Sequence, residues 1–196
     1  QVKAAGTTII CQLTVTGLGP RWEPRVPWPV DWSGIAQLTE FVGSDAVCWR
    51  YDPVVPGVSS LEDFTELARN FYRLQVKLGN INWVFHQRDF VRERIGALYQ
   101  NLDFDVQMVP FLRQAGEIGR DYGIDFSVCA ETRGLAEECG LSSRGCGHYP
   151  WFVEVSGRAP TAGHLPGPSR PGCLCVAYYD LGEYGQFERC HGCVYC

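Results

Sequence analysis

The run Ala46-Val47-Cys48-Trp49-Arg50-Tyr51-Asp52-Pro53 and the stretch Ser59-Ser60-Leu61-Glu62-Asp63-Phe64 that follows it decide the fold. From Ala46 to Tyr51 every residue but Arg50 is apolar or aromatic, and a proline closes the run soon after, which reads as a β-strand. The second stretch reads as the start of a helix. Serines precede Glu62 and Asp63 in the pattern of a capping box. Behind them Leu61, Phe64, Leu67, Ala68, Phe71, Leu74 and Leu78 keep helical spacing as far as Gly79.

The same alternation extends in both directions. Thr8 to Thr16 is a strand-like run, and Asp31 can cap a helix from Trp32 to Val42 that Gly43 stops. Ile81 to His86 and Ile124 to Cys129 are further strand-like runs. Between them, Arg88 to Leu102 is helical, and Pro110 suits the first turn of a helix ending at Gly123. The order β-α-β-α-β-α-β predicts an α/β fold with a parallel sheet. Four such units are half of an eight-stranded barrel. The expected fold is therefore a partial or incomplete parallel (β/α) barrel, TIM-barrel-like, followed by a C-terminal cysteine-rich segment. The expected domains are residues 1–156 (the half-barrel), 157–172 (a Pro/Gly-rich linker) and 173–196 (the cysteine segment). A half-barrel would leave two parallel-sheet edges open. Either a partner chain covers them or a missing N-terminal segment completes the barrel. Gln1-Val2-Lys3-Ala4-Ala5-Gly6 reads as the last turn of a helix, which favours a lost N-terminal part.

Composition removes several classes. The 196 residues are 45% hydrophobic and 20% charged, so the chain is globular. No apolar run approaches the ~20 residues that cross a bilayer, so no membrane is expected. The net charge of −5 offers no basic footprint, so no nucleic acid is expected. Ten cysteines in 196 residues are too few to signal a disulfide scaffold by composition. Cys11, Cys48 and Cys129 fall in strand runs, where buried, inert thiols are the default. Cys139 and Cys146 stay unassigned, and with His148 they could form a second metal site.

The remaining five cysteines close the chain. Cys173-Leu174-Cys175 is followed by Cys190-His191-Gly192-Cys193-Val194-Tyr195-Cys196. The C-x2-C-x2-C run is the pattern that supplies three corners of a [4Fe–4S] cluster, with the fourth ligand remote in sequence. Cys173 or Cys175 can be that ligand. A structural Zn2+ site is the nearest alternative, although zinc usually takes two C-x2-C pairs. Disulfides or free thiols are the third.

The chain resembles the bacterial domain-of-unknown-function 1848 family. The resemblance rests on Gln12 to Thr16 with Glu23-Pro24-Arg25-Val26-Pro27, on Trp49-Arg50-Tyr51-Asp52-Pro53 and on Cys129-Ala130-Glu131. It continues through Gly145-Cys146, Arg170 to Cys175, Asp180-Leu181-Gly182 with Tyr184, and His191 to Cys196. Members of that family are described as carrying a C-terminal cysteine cluster similar to that of radical S-adenosylmethionine (radical SAM) enzymes. The family's pattern has an N-terminal portion without counterpart here, and its final run looks like C-x3-C-x2-C. The resemblance implies an iron–sulfur protein that can act on S-adenosylmethionine, with Cys190, Cys193 and Cys196 holding the cluster and an unknown substrate. A closed cluster serving as electron relay or staple, or a zinc site that mediates partner binding, is the alternative.

In parallel barrels, chemistry sits at the C-terminal ends of strands. Thr14 and Thr16 are candidates there for holding a cofactor. Arg50 and Asp52 flank Tyr51 and point to one side; they can hold an anion or pair with each other. Glu131 is a candidate base or ribose partner, and His86 a candidate proton donor. Exposed thiolate ligands need reducing surroundings, so a cytoplasmic location is expected.

Overall fold

The computed structural model describes residues 6, 8–83, 104–128, 133–158, 175 and 193–195. Its strands are β1 (Cys11–Thr14), β2 (Val47–Val54), β3 (Leu78–Trp83) and β4 (Asp125–Val128). Its helices are α1 (Trp32–Val42), α2 (Leu61–Arg73), α3 (Phe104–Asp121), α4 (Arg133–Glu138) and α5 (Tyr149–Ser156). The strands pair in the order β1-β2-β3-β4, all parallel. The parallel α/β sheet read from the sequence is therefore present. Among the described residues it is an open four-stranded sheet, not a closed barrel.

Local chemistry starts α1 and α2 where the sequence placed them. Asp31 Oδ1 accepts from the Gly34 N–H at 2.9 Å and opens α1. Ser60 Oγ accepts from the Asp63 N–H at 3.0 Å, and Glu62 and Asp63 lie in the first turn of α2, where the helix dipole favours negative charge. Phe64, Leu67, Ala68 and Phe71 form the buried face of α2.

Two boundaries differ from expectation. The spacing predicted α2 as far as Gly79, but the helix ends at Arg73, Gln75 turns into the left-handed region (φ 59°), and Leu78 and Gly79 belong to β3. Gly79 is a packing glycine and not a helix stop. A Cβ there would fall 2.3 Å from Phe126 Cε1. Gly119 of α3 meets the same ring from the helix side, with a Cβ position 2.5 Å from Phe126 Cδ2. The Phe126 ring thus occupies the space of two absent side chains, one on each layer. Pro110 was expected in a first helical turn, yet α3 begins at Phe104 and carries the proline inside it. Met108 before it and Leu112 and Ala115 after it are all buried, so one continuous apolar stripe holds the helix through the break in its hydrogen bonding.

Strand alternation gives the sheet two unlike faces. On the helix side, Trp49 is fully buried and stacks on Phe71 (4.8 Å between centroids) and Phe64 (5.0 Å), with Phe126 edge-on at 5.1 Å. Its indole N–H donates to the Val15 carbonyl at 2.9 Å, so the buried ring has its polar partner. On the other face the paired register lines up Thr14, Arg50, Asn80 and Ser127 in one row.

Later segments cover parts of that polar face and its edge. Beyond α4 the chain runs beside β4: the Val128 N–H donates to the Ser142 carbonyl and the Ser142 N–H to the Phe126 carbonyl, extending the ladder past the last strand. The Gln12 side-chain amide donates to the Cys146 carbonyl at 2.8 Å. The aromatic group Tyr149 to Phe152 builds the short helix α5, and Trp151 Nε1 donates to the Asp45 carbonyl at 2.8 Å.

Cys48 and Cys139 are buried, and Cys11 packs half-buried against the main core. Cys129 lies outside the described residues. Burial pushes the Cys48 thiol from 9.0 up to about 12. No described helix is long and apolar enough to cross a membrane.

Two outcomes follow from this packing. Gly79→Ala forces a methyl against a core aromatic ring, and we expect it to lower the unfolding free energy by about 1–3 kcal/mol in urea titrations. An unfolded thiol ionises near pH 9.0 whereas Cys48 resists to about 12, so the stabilisation from its neutral form is complete below pH 9.0 and is lost between the two values. Melting temperatures measured from pH 8 to 11 should fall less steeply in Cys48→Ala than in the parent, and equal slopes would contradict this account of Cys48.

Candidate functional site

The C-terminal ends of the strands carry two groups of side chains. The first is a buried polar chain across the face opposite the helices. Arg50 Nε donates to Asp52 Oδ2 at 2.9 Å, and Asn82 Nδ2 reaches the same oxygen at 3.4 Å. Asn82 Nδ2 also donates to Asn80 Oδ1 at 3.2 Å, and Asn80 Nδ2 to Ser127 Oγ at 3.2 Å. The Ser127 hydroxyl ends the chain on the Gly79 carbonyl. Asn80, Asn82 and Ser127 are each at most 3% exposed, so every bond here replaces one to water. Of the two expectations for Arg50 and Asp52, the structure shows the mutual pair. The Arg50 side chain keeps 38% of its surface exposed against 13% for Asp52, so the guanidinium is the outward member.

The second group is a pocket of about 380 Å³ beyond the end of β1. Thr14 and Thr16, the two candidates at that strand end, both line it, and so do Glu23, Cys193 and Tyr195. Its other wall is apolar, from Val26, Trp28, Ile35 and Leu38. Thr16 is almost fully buried, and its hydroxyl oxygen accepts the Leu18 N–H at 3.3 Å, which shapes the turn after β1.

The end of the chain is fastened to this pocket. The Val194 N–H donates to the Trp22 carbonyl at 2.9 Å, and the Tyr195 hydroxyl donates to Glu23 Oε1. Val194 and Tyr195 also pack against Trp22 and Val55 in a small second core. Burial above all, then the bonds to Glu23 and Cys193, holds the Tyr195 phenol far above the usual tyrosine range, so it stays a proton donor. Cys193, the middle cysteine of the terminal run, is half-buried at the mouth of this arrangement.

Cys175 has different surroundings. It is buried, its Sγ lies 3.6 Å from Cys146 Sγ, and it accepts the Gly147 N–H at 3.2 Å. Cys139 lies apart from both, with its thiol toward the Val109 carbonyl at 3.6 Å. Cys146, Cys139 and His148 therefore do not form the second metal site considered from sequence. Among the described residues no group of three or more His, Cys, Asp or Glu side chains converges. His86, Glu131, Cys173, Cys190 and Cys196 lie outside the described residues.

Sequence reasoning did not single out Asn80, Asn82, Ser127 or, outside a longer motif, Glu23. Asn80 and Asn82 alternate with apolar neighbours in Leu78-Gly79-Asn80-Ile81-Asn82-Trp83, and that period of two was the available signal. Glu23 gave none, because only the fold brings it to Tyr195, 172 residues away.

Over residues 1–196 the chain matches the model of a family described as Domain of unknown function (DUF1848). No curated protein and no solved structure matches it.

If Tyr195 fastens the end of the chain, Tyr195→Phe should speed hydrogen exchange at the Val194 amide by about 5–10-fold, the equivalent of one buried hydrogen bond. Unchanged exchange in a folded variant would show that the Glu23 contact does not hold the segment.

Proposed function

The chain belongs to the DUF1848 family, and we propose that it is an iron–sulfur protein with radical-SAM-like activity on a substrate still to be identified. The observation that carries this reading is the position of Cys193. The middle thiol of a C-x2-C-x2-C run lies at the C-terminal end of a parallel sheet, on the rim of a pocket, where α/β proteins place their chemistry.

Cys190, Cys193 and Cys196 would hold the cluster. Thiolate donors at this spacing suit iron–sulfur ligation. The half-buried setting of Cys193 in the lining of the pocket fits such a group. When bound, a cluster with one open iron supplies the electron for reductive cleavage of S-adenosylmethionine. The chain's own residues do the rest. Tyr195 and Val194 tie the ligand run to the loop after β1. The apolar wall of the pocket keeps water from a bound adenosyl group, and Thr14 and Glu23 offer polar contacts along its lining. Arg50, paired with Asp52, whose carboxylate Asn82 also bonds, presents a cation to an acidic substrate at the neighbouring strand end.

Cys175 lies against Cys146 and the Gly147 amide, and this reading leaves it outside the cluster with one iron open. In this reading the polar face of the sheet is the inner wall of a partial, TIM-like barrel, which a further segment or a partner chain completes. The need for reduced thiols favours the cytoplasm.

Anaerobic reconstitution with iron and sulfide tests the proposal. We expect a brown protein absorbing near ~400 nm with about four iron atoms per chain. Cys190→Ala, Cys193→Ala and Cys196→Ala should each lose the colour, while Cys48→Ala and Cys175→Ser should keep it. After reduction, S-adenosylmethionine should yield 5′-deoxyadenosine. A colourless zinc protein would contradict the cluster. A loaded, reduced protein that leaves S-adenosylmethionine intact would contradict the radical chemistry alone.

A further inference from the structure

Cys146 and Cys175 are 29 positions apart in sequence, yet their sulfurs lie 3.6 Å from each other. That separation is about 1.6 Å longer than a disulfide bond, a gap that small side-chain rotations can close. The two backbones are already held together beside the thiols. His148 and Cys175 form an antiparallel bridge, and the Gln12 side chain holds the Cys146 carbonyl. The Gly147 N–H points at Cys175 Sγ at 3.2 Å and favours a sulfur bearing negative charge. Cys175 is buried while Cys146 is partly open, so an external reagent reaches Cys146 first.

We infer that Cys146 and Cys175 form a reversible redox pair. Its disulfide locks the start of the cysteine segment onto the polar face of the sheet. The co-reactant is a low-molecular-weight disulfide. The Cys146 thiolate attacks one of its sulfurs, breaking that S–S bond and expelling one small thiolate, which leaves a mixed disulfide on Cys146. The Cys175 thiolate then attacks Cys146 Sγ and expels the second small thiolate. The protein gives up two electrons and the protons of both thiols. The small disulfide takes the electrons, and the two departing thiolates take the protons. Excess small thiol reverses both steps. The pairing stands apart from the cluster proposal, because neither thiol belongs to the terminal C-x2-C-x2-C run.

The test uses the iron-free full chain, equilibrated anaerobically in glutathione buffers from fully reduced to fully oxidised. The mixtures are quenched with an alkylating reagent, digested and read by mass spectrometry. Because Cys173 shares a peptide with Cys175 after tryptic cleavage, Cys173→Ser is run in parallel. The expected result is a peptide pair joined through Cys146 and Cys175, two hydrogens lighter than its separate halves. The pair should appear in the parent and in Cys173→Ser and disappear with excess reduced glutathione. The oxidised form should also melt at least about 4 °C higher than the reduced form, as closing a loop of this length implies. Linkage through Cys173, or alkylation of both thiols at every glutathione ratio in a protein that remains folded by circular dichroism, would overturn the inference.

Discussion

The packing of Trp49 fixes what every other part of the molecule can do. Its ring stacks on two aromatic residues of α2, meets Phe126 of β4 edge-on and donates a hydrogen bond to the chain leaving β1. One side chain therefore binds three strands and a helix into a single layer pair. A buried indole lacking that carbonyl partner would leave a donor stranded in an apolar core, so the loop after β1 is as constrained as the strands. Gly79 and Gly119 matter for the same reason. Without their empty Cβ positions Phe126 could not lie flat enough to reach Trp49.

From this anchor the functional face follows by alternation. With Trp49 and Tyr51 committed to the helix side, Arg50 and Asp52 must emerge on the opposite face. The parallel register then sets Asn80 and Ser127 beside them. The polar chain from Arg50 to Ser127 is the reverse side of the aromatic core. The fixed exit of β1 likewise positions Glu23, and Glu23 receives Tyr195 from the end of the chain. Core packing and the placement of the terminal cysteine run are thus linked through one loop.

Much of this was legible in the sequence because it is local. Asp31 and Ser60 announce their helices, and the strand at Val47–Val54 declares itself by composition. The spacing of two put Arg50 and Asp52 on one face, and pairing was one of the two readings it allowed. What escaped depends on contacts between distant segments. Gly79 looks like a helix stop until Phe126, 47 positions later, is seen to lie over it. Pro110 looks like a helix start until the burial of Met108 shows the stripe continuing through it. The cysteine motif pointed to metal chemistry, but nothing in it foretold that Cys175 would face Cys146 while Cys193 faced Tyr195. Motif spacing describes which thiols can converge, and tertiary packing selects among them.

The central claim is that the terminal cysteine run brings a cluster to the strand ends beside the β1 pocket. Crystals of the anaerobically reconstituted full chain, measured at the iron absorption edge, test it most directly. The account predicts one anomalous iron peak within bonding distance of Cys193 Sγ, at the mouth of the pocket lined by Thr14 and Glu23. Iron bound at Cys146 and Cys175 instead, or no iron peak in fully reconstituted protein, would contradict it.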